Sequence, residues 1–254
     1  YKSEYKNSLD DIEHPSVKAC LEFLQIEKGI ELVHTGDVPA MSGVGSSSAF
    51  TVGLLHSLYA LSGQFMTKRK LAYEAIDIEQ NVIGEHVGSQ DQVAAAFGGF
   101  NIIEFFKDDR IIVQPLTLRS SRIKKLEDSL VLFFTGISRT ASEIAETQIS
   151  NTPNKIKELD KMKQMVDQAV EILCEESTPL DEFGKLLDES WKIKRSITQK
   201  ISTDLIDSVY DRGINAGALG GKLLGAGGGG FIMFFTPPNK KQKLINELSD
   251  LLHV

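Results

Sequence analysis

The chain has 254 residues, 41% hydrophobic and 25% charged, with a formal net charge of −7. This is globular composition, enough for one large domain or two small ones, and too acidic for a general nucleic-acid binder. No run approaches the ~20 apolar residues of a membrane span, no secretory signal opens the chain, and Cys20 and Cys174 lie far apart without metal-ligand spacing, which fits buried thiols in a reducing, cytoplasmic setting.

Taken in chain order, residues 13–28 (EHPSVKACLEFLQIEK) predict a helix with Val17, Cys20, Leu21 and Leu24 on one face, and ELVHT (31–35) predicts a short strand. A loop rich in Gly and Ser, PAMSGVGSSSAF (39–50), runs straight into a segment too apolar for a surface helix (50–61), which predicts a buried one. Residues 67–84 predict a second helix with Thr67 as its N-cap. NIIEFF (101–106) and RIIVQPL (110–116) flank Lys107–Asp109 as a hairpin. The polar stretch RSSRIKKLED (119–128) is expected to join two domains, 1–119 and 120–254. Beyond it come a buried strand (130–136), helices near 139–150, 154–175, 180–200 and 202–212, and a glycine run, GGKLLGAGGGG (220–230), feeding the strand FIMFF (231–235). Helices and strands come in clusters rather than strict alternation, which favours α+β over a doubly wound sheet. The last residues, LINELSDLLHV, read as the inside of an amphipathic helix, and the opening YKSEYKNSLDDIEHP reads as mid-protein, so truncation at both ends is expected.

Three places carry chemistry. Glycine in the 39–50 loop permits φ > 0, which lets successive N–H groups converge on one point, and the helix that follows adds the positive end of its dipole. Ser46, Ser47 and Ser48 stand at that start, where a hydroxyl can cap the helix, bind a phosphate or ligate Mg²⁺. A ligand-free loop with a serine cap is equally compatible; a Walker A loop is excluded, because no Gly-Lys-Ser/Thr follows. Glu79 lies on the helical row of Ala72 and Ile76, and a carboxylate there needs a partner, either a metal ion or an Arg or Lys. Asp91, between Gln90 and Gln92, begins an Ala-rich helical segment, as a plain N-cap or as a base aimed into a cleft. The run Gly225-Ala226-Gly227-Gly228-Gly229-Gly230 precedes a strand, so it is not a dinucleotide fingerprint; it allows very close backbone approach to a neighbour.

Together these residues resemble the GHMP kinases. Pro39-x-x-x-Gly43-Val44-Gly45-Ser46-Ser47-Ser48-Ala49 is similar to the family's phosphate-binding motif, with Val44 and Ser48 as mild departures, and Lys222-Leu-Leu-Gly225-Ala226-Gly227-Gly228 is similar to its C-terminal glycine motif. Glu79 and Asp91 fall in the order of the family's metal-binding Glu and catalytic Asp, and GSQDQVAAAFGGFNIIEF (88–105) has the flavour of kinases acting on D-glycero-D-manno-heptose 7-phosphate. Nothing matches the family's first motif.

The resemblance implies a two-domain α+β GHMP kinase fold, with a ribosomal-protein-S5-like N-terminal domain and a ferredoxin-like C-terminal one. It implies ATP held by Gly43–Ser48, Gly225–Gly228 and Lys222, with Mg²⁺ held by Glu79 and a loop serine, Ser47 first. Asp91 would act on the anomeric hydroxyl of a sugar or sugar phosphate, with Arg139 and Gln90 as substrate contacts and Lys194 and Arg195 as weaker ones. Fucokinase- or galactokinase-like activity, or a non-catalytic binding module on the same fold, are the alternatives. No nucleic acid or membrane partner is expected, and a homodimer is compatible.

Overall fold

The computed structural model describes residues 3–27, 29–38, 42–137 and 141–254, and of 141–143 the backbone alone. Two compact units divide the chain: Tyr1–Ala40 with Gly45–Leu116, and Met41–Val44 with Thr117–Val254. The division falls inside the Gly/Ser loop, between Val44 and Gly45.

In the first unit, α1 (Pro15–Phe23) starts at a proline suited to the first helical turn. It is shorter than the predicted 13–28, because Gln25 turns left-handed (φ 56°) and the Ile26 N–H reaches back to the Leu21 carbonyl. α2 (Ser46–Leu61) is the buried helix, contributing Val52, Leu54, Leu55 and Leu58 to the core. α3 (Lys68–Asp77) carries the expected cap, Thr67 Oγ1 accepting from the Lys70 N–H. It then departs from the prediction by widening into one π turn, Ile78–Val82, which the Ile83 N–H closes onto the Ile78 carbonyl at 2.8 Å. α4 (Gln90–Phe97) packs against α2 and α3, and β1 (Asn101–Phe105) pairs antiparallel with β2 (Ile111–Pro115) as the predicted hairpin. The strand expected at 31–35 is absent: with Val33 78% exposed, that segment has neither a covered face nor a neighbouring strand.

The second unit holds α5 (Ser120–Ser129), β3 (Leu130–Phe134), α6 (Ala141–Asn151), α7 (Ile156–Cys174), α8 (Asp181–Arg195), α9 (Asp204–Ala216), β4 (Gly220–Leu223), β5 (Phe231–Phe235), α10 (Pro238–Glu247) and β6 (Leu252–His253). The strands form one antiparallel sheet ordered β4-β5-β3-β6. Its apolar side chains, Val131, Phe133, Ile232 and Phe234, join Trp191, Ile206, Tyr210, Leu244 and Leu248 in a single core. The α+β class is borne out. Two expectations are corrected. The glycines of 220–221 hide β4 from propensity rules, yet α8 packs so close that a Cβ on Gly220 would stand 2.1 Å from the Gly184 carbonyl. The C-terminal residues do not end inside a helix: α10 stops at Glu247, and β6 pairs with Phe133 and Phe134.

The polar stretch 119–128 is a helix rather than a linker, and its basic content has a structural use. Arg122 is buried, and its guanidinium donates to the carbonyls of Ile172 (2.6 Å), Leu173 (3.2 Å), Glu175 (3.2 Å) and Thr178 (2.8 Å). These are the orphan carbonyls at and beyond the C-terminus of α7, where a cation also meets the negative end of the helix dipole. Arg122→Met should therefore destabilise the fold by about 3 kcal/mol, since it strands buried acceptors. Arg119→Met, which removes only the exposed pair with Glu176, should change stability by less than about 0.5 kcal/mol. Urea unfolding of the two variants would check the contrast.

Candidate active site

The first unit assembles a site at the start of α2. Gly45 is the N-cap of that helix in a left-handed conformation (φ 74°), and no side chain caps it. The first intrahelical bond is from the Ala49 N–H to the Gly45 carbonyl, and the N–H groups of Ser46, Ser47 and Ser48 find no acceptor among the described residues. Asp91, in the first turn of α4, lies against this helix start: a Cβ on Gly45 would stand 3.0 Å from the Asp91 Cγ. Only glycine combines that φ with that approach. The Asp91 side chain keeps an exposed edge, but the protein around it strips enough water to raise its pKa above the ordinary carboxylate value.

Beneath lies a buried carboxylate. Glu79, 2% exposed, comes from the π turn, a feature that recurs at functional sites. Its Oε2 accepts from Ser48 Oγ at 2.8 Å and from Gln92 Nε2. Its Oε1 is buried without a hydrogen-bond partner among the described residues, as is Oε1 of Gln92. The charge is felt nearby: burial first and Glu79 second push the Cys20 thiol up to about 12, and the same two causes raise the Glu85 carboxyl. Of the partners that the sequence left open, no Arg or Lys pairs with Glu79 among the described residues. A serine hydroxyl, an amide oxygen and an unsatisfied carboxylate oxygen make a hard-oxygen donor set, which suits Mg²⁺.

The second unit explains the glycine run. Cβ atoms there would meet backbone on every side: on Gly225, Gly43 Cα at 2.8 Å; on Gly227, Ile201 Cα at 2.9 Å; on Gly229, the Ile137 carbonyl at 2.7 Å; on Gly230, the Ser42 carbonyl at 2.1 Å. The close approach expected of this run is thus to the segment 42–43, to Ile137 and to Ile201. The Gly228 and Gly230 N–H groups bond to the Ile201 and Ile137 carbonyls, while those of Gly225, Ala226 and Gly227 have no acceptor among the described residues. Lys222, half-buried in β4, precedes this turn, and burial lowers its pKa.

The remaining predicted residues fall as follows. Ser47 is exposed, and Ser48 rather than Ser47 is the serine bonded to Glu79. Asp91 is not an N-cap; Ser89 holds that position. Gln90 lines a cavity of about 320 Å³ with Ala94, Phe100 and Phe105, apart from Asp91 and Glu79. Arg195 is structural, paired with Asp207 at 2.7 Å and set over the rings of Trp191 and Tyr210. Arg139 lies outside the described residues. Gln92, the second partner of Glu79, is the residue that sequence reasoning passed over in favour of Gln90; the signal was its place beside Asp91.

Comparison with known proteins places this geometry. The model of the GHMP kinases N terminal domain matches residues 15–99, and that of the GHMP kinases C terminal matches residues 169–254. The chain belongs to the GHMP kinases. Within that family it is 37% identical, over 85% of its own length, to the D-glycero-alpha-D-manno-heptose 7-phosphate kinase of Campylobacter jejuni. It spans 64% of that relative's length. Among solved structures, a D-glycero-D-manno-heptose 1-phosphate kinase from Bacteroides thetaiotaomicron matches with a TM-score of 0.75 and 28% identity, covering 96% of this chain and 71% of that one. A Campylobacter jejuni protein provisionally named a sugar kinase matches with a TM-score of 0.69 and 30% identity, covering 99% and 74%. No helix among the described residues of this GHMP kinase chain is long and apolar enough to cross a membrane.

The packing makes a paired prediction about glycines. Gly230→Ala should cost at least about 2 kcal/mol, because it forces both φ 98° and a 2.1 Å contact with backbone. Gly53→Ala, exposed within α2 with nothing within 4 Å of the new methyl, should stabilise by roughly 0.5–1 kcal/mol. Thermal unfolding of both variants is the check.

Proposed function

We propose that the protein of which this chain is part is an ATP-dependent kinase that phosphorylates the anomeric hydroxyl of a sugar phosphate, D-glycero-D-manno-heptose 7-phosphate being the first candidate. The observation that carries the reading is the pairing at one helix start: Asp91 against Gly45, and Glu79 held by Ser48 one turn along the same helix. The identity with the Campylobacter heptose kinase supports the choice of sugar.

The uncapped N-terminus of α2 fits phosphate, since its free N–H groups and dipole both favour an anion. Ser48 and Glu79 would hold Mg²⁺, with Gln92 fixing the carboxylate through Oε2 and leaving Oε1 open. When bound, the ion neutralises charge on the phosphates. Asp91 accepts the proton of the sugar hydroxyl, or orients that hydroxyl, as its oxygen bonds to the terminal phosphorus of ATP. The bond from that phosphorus to the bridging oxygen breaks, releasing ADP. Gly45 makes this geometry available, because a side chain there would push the carboxylate aside. Positioning and electrostatic stabilisation supply most of the acceleration in such transfers.

The test is ³¹P NMR of the chain with MgATP and a panel of D-glycero-D-manno-heptose 7-phosphate, free mannoheptose, L-fucose and galactose. An anomeric phosphate signal from the heptose phosphate alone is expected; a signal from a free sugar would redirect the substrate, and none from any of them would count against turnover by this chain. Asp91→Asn should lower kcat by about 10²–10⁴-fold, the usual worth of a general base, while ATP affinity stays within about threefold. The acid limb of the wild-type kcat/KM profile should lie above the ordinary Asp value, since burial raises the Asp91 pKa and the base must be ionised. Because a raised carboxyl pKa means that the ionised form opposes folding, Asp91→Asn should fold at least as stably as wild type at neutral pH.

Glu79→Gln should raise the Mg²⁺ concentration for half-maximal activity by roughly tenfold or more, with the nucleotide KM measured at saturating Mg²⁺ changing less. An unchanged Mg²⁺ dependence would remove Glu79 from the metal set.

A further inference from the structure

α8 ends with three cations, Lys192, Lys194 and Arg195. Two of them have carboxylates: Lys192 pairs with Asp188 at 2.6 Å and Arg195 with Asp207 at 2.7 Å. Lys194 has none among the described residues. Its Nζ donates instead to the Gly225 carbonyl at 2.6 Å, which anchors the ammonium beside the glycine turn. An ammonium has three N–H donors, so two remain.

Lys222 faces the same place. Residues two apart on a strand share a face, and Gly220 of β4 touches α8 at the Gly184 carbonyl and the Asp188 N–H. Lys222 therefore extends from the α8 side of the sheet, one step farther toward the helix's last turn. It too lacks a carboxylate partner among the described residues. Burial pulls Lys194 down to about 7, the charge of Lys222 adding to the effect, and burial also lowers Lys222. A position at a helix C-terminus accounts for one lysine, through the dipole. It does not account for two half-buried lysines on the same side of the sheet, each without a carboxylate partner among the described residues.

We propose that Lys194 and Lys222 form a phosphate-binding site on the second unit, which takes a phosphate monoester or a phosphate of the nucleotide. The site is distinct from the Ala226 N–H of the glycine turn. In a planar trans peptide the N–H points away from the C=O, so the bond from Lys194 to the Gly225 carbonyl sends the Ala226 N–H to the opposite side. Gln148 reinforces this turn by donating to the Ala226 carbonyl at 2.6 Å. Which phosphate fills the lysine site physiologically rests on the kinase reading above; binding of the anion does not.

The experiment titrates the chain with inorganic phosphate at constant ionic strength. Lysine Nζ resonances are followed by ¹⁵N-detected NMR, with Lys194→Arg and Lys222→Arg assigning the two signals. Saturable shifts of both signals in wild type are expected, with affinity roughly tenfold weaker in Lys194→Met and in Lys222→Met and largely kept in Lys194→Arg. Circular dichroism checks that the Met variants fold; if either does not, the wild-type shifts decide alone. Displacement of phosphate by the heptose 7-phosphate and not by MgATP would make this the sugar-phosphate pocket, and the reverse would make it a nucleotide contact. Lysine signals unmoved by phosphate, or folded Met variants that bind as wild type does, would overturn the site. Saturable binding together with no turnover of any sugar would leave the site standing and count against the kinase reading instead.

Discussion

One buried carboxylate organises the first unit. A carboxyl group such as that of Glu79 in an apolar helical core is unfavourable unless its oxygens are met, and the fold meets one of them twice, through Ser48 and Gln92. Those two bonds tie α2 and α4 to the π turn after α3. They also leave Oε1 unsatisfied in a protein interior where nearly every buried polar atom finds a partner. Stability alone does not account for such an atom, because replacing buried ionic groups with apolar ones is often neutral or favourable. The same three elements set Asp91 against Gly45. Removing Glu79 from the design would thus loosen the start of α2 as well as any metal held there.

The second unit rests on a different constraint, backbone packed on backbone. Segment 42–43, Ile137 and Ile201 press so closely on the glycine turn that side chains are excluded at positions 225, 227, 229 and 230. The two halves of the Gly/Ser loop accordingly do different work. Ser42 and Gly43 are fixed by the glycine run, with the Phe231 N–H donating to the Ser42 carbonyl at 3.0 Å. Gly45 and the serines belong to α2.

What could be seen in the sequence followed from whether local rules governed the outcome. Thr67, the hairpin around Lys107–Asp109 and the strand 231–235 obey capping, alternation and hydrophobicity, and they form as expected. The buried position of Glu79 was legible because helical periodicity put it among Ala72 and Ile76. Its partners were not, since Ser48 and Gln92 lie 31 and 13 residues away and arrive by tertiary packing. β4 was hidden because its glycines answer to the α8 backbone rather than to strand propensity. Arg122 was hidden because a polar, basic stretch reads as solvated, whereas its guanidinium is used to end a helix fifty residues on.

The distribution of charge connects these sites. An acidic chain repels polyanions at long range, so a small anion is met best by donors that no carboxylate already occupies. Surface cations such as Lys161, Lys185 and Arg212 are taken up by Glu189, Glu182 and Asp250. Such exposed pairs add little stability, but they remove those cations as rival anion sites. Lys194 and Lys222, by contrast, have no carboxylate partner among the described residues, and the N–H groups of Ser46–Ser48 and of Gly225–Gly227 have no acceptor among them. Both lysines are half-buried, and Lys194 spends one of its three donors on the Gly225 carbonyl. Net charge and local charge can therefore carry opposite signs: the acidity disfavours non-specific association with nucleic acid, while donors without a protein partner in a few places can still meet an anion.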